Sequence, residues 1–277
     1  MNYDGGIGLS GTIVSLDSMI NAYKEADIEF KFMDTATLRK YADRGNVKAQ
    51  NLLGDRYFNG DTVEIDYKEA VKWYKKAAFA GYEIAMYNIG DMYYYGLGVE
   101  EDYIKTIEWY KKAAVKGHSD AQCNLGCMYE NGEGTEIDYC EAIKWYKKAA
   151  EQGDYFAQYN LAGMYMHSKG VEEDCVQAFI WYEKSAKQGY EKAQNVIGYM
   201  YEKGIGVRRD YKEAVRWYRE SAESGYPYAE YNLASMYYKG KGVQKNLGSA
   251  YSWYKRCAEH GLEEGRIALK DKFNKEI

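Results

Sequence analysis

Two cysteines four residues apart, Cys123 and Cys127, are the pair whose type and spacing most directly suggest chemistry in this chain. On a helix they share one face, where two thiolates could begin a metal site or make a thiol-sensitive spot. No second Cys or His pair stands at the corresponding place in an adjacent segment, and i, i+4 helical geometry fits a disulfide poorly. The alternative is two incidental small residues. The histidines, His118, His167 and His260, lie far apart in sequence and read as solvated or loop residues rather than as bases or ligands. With Cys140, Cys175 and Cys257 the cysteines form an odd set, expected to be reduced thiols rather than a disulfide framework. Carboxylates abound without marking an acid and base pair. The segment "GGIGLSG" lacks the Lys-Ser/Thr and the preceding strand of a phosphate loop.

Composition narrows the class further. One proline in 277 residues favours an all-helical chain, and 46% hydrophobic residues suffice for a substantial core. A net charge of −5 gives no general attraction to phosphate backbones, so nucleic acid is not an expected partner. The arginines between Arg208 and Arg219 alternate with acidic residues and read as a solvated face. The first twenty residues carry no Lys or Arg and lack the continuous apolar run of a signal peptide, and no segment is long and apolar enough to insert in a membrane. A cytoplasmic protein is expected.

The elements that must position any site repeat with a fixed period. Trp73, Trp109, Trp145, Trp181, Trp217 and Trp253 are 36 residues apart, and Gly45, Gly81, Gly117, Gly153, Gly189, Gly225 and Gly261 keep the same spacing. A period of that length predicts a stacked array of two-element units, because one unit cannot bury its own apolar face. Both elements show helical periodicity: Ala85, Ile89, Met92 and Tyr93 in the first, and Ala70, Val71, Tyr74, Ala77 and Ala78 in the second. Gly60, Gly96, Gly132, Gly204 and Gly240 are expected to end first helices and the seven register glycines to end second helices. Ser168 breaks the former pattern, and "MHSKGVEED" predicts a distorted turn there. Asp66, Asp102, Asp138, Asp174, Asp210 and Asn246 are expected N-caps, with Glu69, Glu141, Gln177 and Glu213 completing capping boxes. In "WYKKAA" the Tyr and final Ala face the core while the lysines point to solvent.

The expected organisation is a partly flexible leader over 1–29, a degenerate capping helix over 30–45, six repeats over 46–261 and a C-terminal capping helix over 262–277. Ala121, Leu125, Gly126, Met128, Tyr129, Gly132, Gly134, Asp138, Tyr139, Ala142, Trp145, Tyr146, Ala149, Ala150 and Gly153 spell a unit that closely resembles the Sel-one-like repeat, a relative of the tetratricopeptide repeat. The resemblance implies an all-α, right-handed superhelical solenoid of antiparallel helix pairs, with first helices lining a concave surface. It also implies an adaptor that holds other proteins, not an enzyme. The paired cysteines of some secreted family members are not reproduced here, which weakens an extracellular reading.

Within one array, positions that repeat serve the stack, and positions that vary are candidates for binding. The third, seventh and tenth places of each first helix share one face. Their contents vary and are rich in Tyr and carboxylates, a composition suited to protein recognition. The candidate partner-binding residues are Tyr87, Asp91, Tyr94, Glu130, Tyr159, Tyr199, Glu202, Tyr231 and Tyr238. The expected function is a monomeric, cytoplasmic scaffold gripping a partner protein or peptide in the concave groove, with no cofactor, no metal and no catalytic residue. The alternatives are an immunity protein neutralising a toxin or effector, and a binder or hydrolase of small ligands such as cell-wall fragments.

Overall fold

Each half of the 36-residue unit forms a helix. A computed structural model describes residues 30–275; the leader expected over 1–29 lies outside the described residues. A short α1, Thr35–Asp43, precedes twelve helices: α2 (Val47–Asn59) packed with α3 (Tyr67–Phe79), then α4 (Glu83–Tyr94) and α5 (Tyr103–Val115), then the packed pairs α6 (Ser119–Asn131) with α7 (Tyr139–Glu151), α8 (Tyr155–Met166) with α9 (Cys175–Lys187), α10 (Glu191–Lys203) with α11 (Tyr211–Glu223), and α12 (Pro227–Lys239) with α13 (Leu247–Glu259). Helix α14, Glu263–Phe273, follows. The fold is an all-α array of repeated helix pairs, divided into two compact units, one ending at Asp102 and the other beginning at Tyr103.

The helix ends follow local chemistry, with one correction. Asp66, Asp138, Asp174, Asp210 and Asn246 accept from backbone N–H groups of the first turn of the helix that follows. The expected reciprocal half of the capping box is absent at Asp66, Asp138, Asp174 and Asp210. Their own N–H groups donate instead to the carbonyls of Tyr57, Tyr129, Tyr165 and Tyr201 at 2.9–3.1 Å. The same bond joins Asp102 to Tyr93 and Asn246 to Tyr237. Freed from capping, the Glu69 carboxylate takes Lys72 at 2.6 Å, and Glu141 takes Lys144 at 2.8 Å and the Trp145 indole N–H at 3.1 Å.

The loop inside the fourth repeat is not distorted. Ser168 adopts the left-handed conformation, φ 53°, that glycine adopts in neighbouring repeats. Lys169 N–H reaches the Met164 carbonyl at 3.1 Å, as Ile205 N–H reaches Met200 at 3.0 Å. The hydrogen bond and the following Gly170, φ 69°, keep the turn in shape, at the strain a non-glycine residue carries there.

Packing explains which letters of "WYKKAA" are fixed. Tyr74, Tyr146, Tyr218 and Tyr254 and the alanines beside them are buried, and alanine lets helices approach closely. The second lysine does not simply point to solvent. Lys76, Lys112, Lys148 and Lys184 place their ammonium groups 3.5–4.2 Å from the ring centroids of Trp73, Trp109, Trp145 and Trp181. This cation–π contact, about 0.5–1 kcal/mol at exposed sites, covers the outer face of each indole.

The first repeat is closed off by a substitution. Arg56 stands where later repeats have Met92, Met128, Met164, Met200 and Met236. Its buried guanidinium donates to Thr35 Oγ1 at 2.9 Å and to the Met33 carbonyl, tying the segment before α1 to α2.

Candidate functional site

The face formed by the third, seventh and tenth places of the first helices is shaped by what lies beneath it. Tyr74, Tyr146, Tyr182, Tyr218 and Tyr254 of the second helices are buried against it, and the neighbouring small residue sets where each hydroxyl points. In α2, α6 and α10 that residue is Gly54, Gly126 or Gly198, and the opposing ring lies so close that an added Cβ would stand 2.6–2.7 Å from it. The hydroxyl then reaches an acid. Tyr74 donates to Asp55 at 2.8 Å, Tyr146 to Glu130 at 2.9 Å, and Tyr218 to Glu202 at 3.0 Å. In α8 and α12 the residue is Ala162 or Ala234, and Tyr182 and Tyr254 meet Tyr159 and Tyr231 edge-on, at centroid distances of 5.2 and 5.4 Å.

Part of the variation along this face is therefore packing. Glu130 and Glu202 each hold the hydroxyl of a buried tyrosine and an ammonium, Lys169 at 2.8 Å and Lys203 at 3.4 Å. Tyr159 and Tyr231 are half-buried against their partner rings. Tyr87, Asp91 and Tyr94 are half-buried on α4, and Tyr238 lies edge-on to Phe273 of α14. Tyr199 is the most open of the nine, at 46% exposure. In one unit the face carries Tyr87, Asp91 and Tyr94; in the other it carries Glu130, Tyr159, Tyr199, Glu202, Tyr231 and Tyr238. Asp55, at the seventh place of α2, belongs to the same face although it is not one of the nine candidate residues. Its signal was Gly54 together with Tyr74, the same Gly and Tyr pairing that brackets Glu130 and Glu202.

Electrostatics follow burial. Desolvation pushes the Asp55 carboxyl above its usual range, against the lowering effect of the Tyr74 hydrogen bond. Burial likewise raises the phenols of Tyr74, Tyr146 and Tyr218 beyond any physiological titration, so they act as neutral donors. A hydrogen bond from Cys123 holds the Cys127 thiol below its ordinary value, and Cys127 also accepts from Tyr146 at 3.2 Å. All five cysteines are free thiols. His118 caps α6 through Nδ1, and His260 does more than face solvent, because its Nδ1 lies 3.0 Å from the buried Glu230. No group of three or more His, Cys, Asp or Glu able to hold a metal ion occurs among the described residues, and no helix among them is long and apolar enough to cross a membrane.

Glu230 is a second departure from the repeat. At its register Gln50, Gln122, Gln158 and Gln194 donate to a carbonyl eight residues back, at 2.9–3.3 Å. A carboxylate cannot donate, and Glu230 instead meets Arg256 Nε at 2.7 Å and His260 Nδ1 at 3.0 Å. Desolvation raises its carboxyl above the ordinary value, and the His260 and Arg256 charges pull the other way. A raised carboxyl favours folding below the unfolded-state value and loses that contribution as pH rises through the folded one. Glu230→Gln should thus restore the repeat's amide bond and match or exceed the native melting temperature. Its advantage should grow as pH rises above about 4, where the unfolded-state carboxyl ionises before the folded one. Glu230→Ala, which leaves both cations without a partner, should melt lower; a glutamine variant that melts as low as the alanine one would refute this account.

Comparison with known proteins decides the family. The Sel1 repeat model matches residues 47–82, 84–118, 119–154, 156–190, 191–226 and 227–262. The chain belongs to the Sel1 repeat family. Among solved Sel1 repeat structures, a protective antigen of uropathogenic Escherichia coli described as displaying an SLR fold is 39% identical, with a TM-score of 0.83 over 86% of this chain. The match covers 52% of that antigen, so the chain spans about half its length. A Sel1 repeat protein from Oxalobacter formigenes is 32% identical, with a TM-score of 0.70 over 86% of this chain and 94% of its own. No curated protein matches. Sel1 repeat proteins are generally protein-interaction scaffolds and typically non-enzymatic.

Proposed function

We propose that this Sel1 repeat chain is a non-enzymatic, monomeric, cytoplasmic scaffold that holds a partner polypeptide on the face carried by its first helices. The observation behind this reading is Tyr199, 46% exposed at a place where the repeats disagree, on a stack whose repeated second-helix tyrosines are buried. A large ring with few rotors and a polar tip contributes contact area at low entropic cost, which is why tyrosine is enriched where proteins bind one another. The free thiols are consistent with a reducing compartment.

Tyr199 also gives a cleaner test than Tyr159 or Tyr231, whose rings pack on buried neighbours and whose removal would loosen the stack. Tyr199→Ala should keep the native helical content and melting temperature while weakening a captured partner by about 1–3 kcal/mol, measured by affinity capture followed by calorimetry on the identified polypeptide. A partner held equally well by the variant would remove Tyr199 and its face from the binding surface.

A further inference from the structure

In the unit ending at Asp102, a hollow of about 250 Å³ opens between α2 and α4, lined by Asp55, Phe58, Asn59, Tyr74, Asn88, Asp91 and Met92. Two carboxylates and two aromatic rings face it, and no lysine or arginine is among its lining residues. Among the described residues, the donors to Asp55 are neutral: Tyr74 at 2.8 Å, Asn51 at 3.1 Å and Asn88 at 3.5 Å.

The later repeats show what usually completes such an acid. Glu130 accepts from the homologous Tyr146 through one oxygen, and its other oxygen lies 2.8 Å from the Lys169 ammonium, which comes from the loop of the next repeat. Glu202 accepts from Tyr218 and pairs with Lys203. In the loop after α4, the register of Lys169 is occupied by Leu97, which makes the same backbone bond, to Met92, at 2.9 Å. The loop thus offers an aliphatic residue where Lys169 stands two repeats later, and Phe58, which lines the hollow, holds the register of Glu130.

We propose that this hollow receives the cationic head of a lysine or arginine side chain from the bound partner. The guest supplies a positive charge that none of the lining residues carries, and Phe58 and Tyr74 offer rings for its alkyl stem or head group. This rests on the reading of the first-helix face as the partner-binding surface, and it adds that the partner presents a basic residue to this repeat.

The test needs no knowledge of the partner. The isotope-labelled full chain is titrated with the N-acetyl methylamides of arginine, lysine and citrulline, and the side-chain amide signals of Asn51 and Asn88 are followed by NMR. The cationic derivatives should shift these signals saturably and citrulline should not. Asp55→Asn, which keeps an acceptor for Tyr74, should weaken the response at least about tenfold, as expected when one charge of a partly desolvated pair is removed. Leu97→Lys should abolish it by supplying an internal ammonium, with helicity checked by circular dichroism. No response to either cation, an equal response to citrulline, or a response unchanged in both variants would overturn the proposal. Failure here alongside Tyr199-dependent capture of a partner would leave the scaffold reading standing, whereas success here with capture indifferent to Tyr199 would displace only the proposed face.

Discussion

Gly242→Ala should destabilise the C-terminal repeats by about 3–5 kcal/mol, the sum of left-handed backbone strain and a steric clash. Gly242 has φ 68°, and a Cβ there would stand 2.0 Å from the Tyr211 carbonyl oxygen, at the start of the preceding repeat's second helix. Neither atom belongs to a flexible side chain, so the loop must move away and the contact between repeats is lost. Gly261→Ala separates the two effects. Its φ is 88°, yet no atom lies within 4 Å of the added Cβ, so only the backbone strain of about 1–2 kcal/mol should appear. Urea unfolding followed by circular dichroism measures both. Equal losses in the two variants would show that the close approach at Gly242 contributes nothing.

Tyr218→Ala should cost about 3–5 kcal/mol, and Tyr218→Phe only about 1 kcal/mol. The ring is fully buried and fits against Gly198, so truncation leaves a cavity that a helix backbone cannot fill. Removing the hydroxyl alone takes one donor from Glu202, which keeps Lys203 at 3.4 Å and 15% exposure of its side chain. Because repeat arrays lose cooperativity readily, hydrogen exchange across α10 and α11 is the better readout: the alanine variant should open these helices ahead of the rest. Comparable losses for alanine and phenylalanine would mean that the hydrogen bond, not the packing, dominates.

The period made the architecture legible because stacking imposes it on residue types. The spacing of Trp73 to Trp253 matches the order of the repeated helices, and the Asp and Gly positions fall within a residue or two of their ends. Three features were less accessible. Asp66 looked like half of a capping box, but the destination of its N–H, the Tyr57 carbonyl, is a backbone partner that no side-chain pattern encodes. The lysines of "WYKKAA" looked solvated because the register of Lys76 changes to Glu220 and Arg256 in the last repeats, where Arg216 and Arg256 meet the indoles instead. The face itself was legible as a place of disagreement, but the disagreement has two sources. Glycine at 54, 126 and 198 goes with a carboxylate acceptor and alanine at 162 and 234 with an edge-on tyrosine ring, a correlation across two helices that is visible in sequence only once the contact is known.

The backbone bond from each second-helix cap to the tyrosine carbonyl of its first helix has an evolutionary consequence. It asks nothing of side chains, and the hydroxyl acceptors at Asp55, Glu130 and Glu202 lie in the same 36-residue segment as the tyrosines they serve. Such a segment can be duplicated or excised by recombination and arrive with its own polar demands already met. Links that cross between segments, such as Asn88 to Asn51 and Lys169 to Glu130, are the ones a rearrangement would break and selection would then rebuild. New recognition surfaces can arise in this lineage by shuffling whole cassettes, before any single residue is refined.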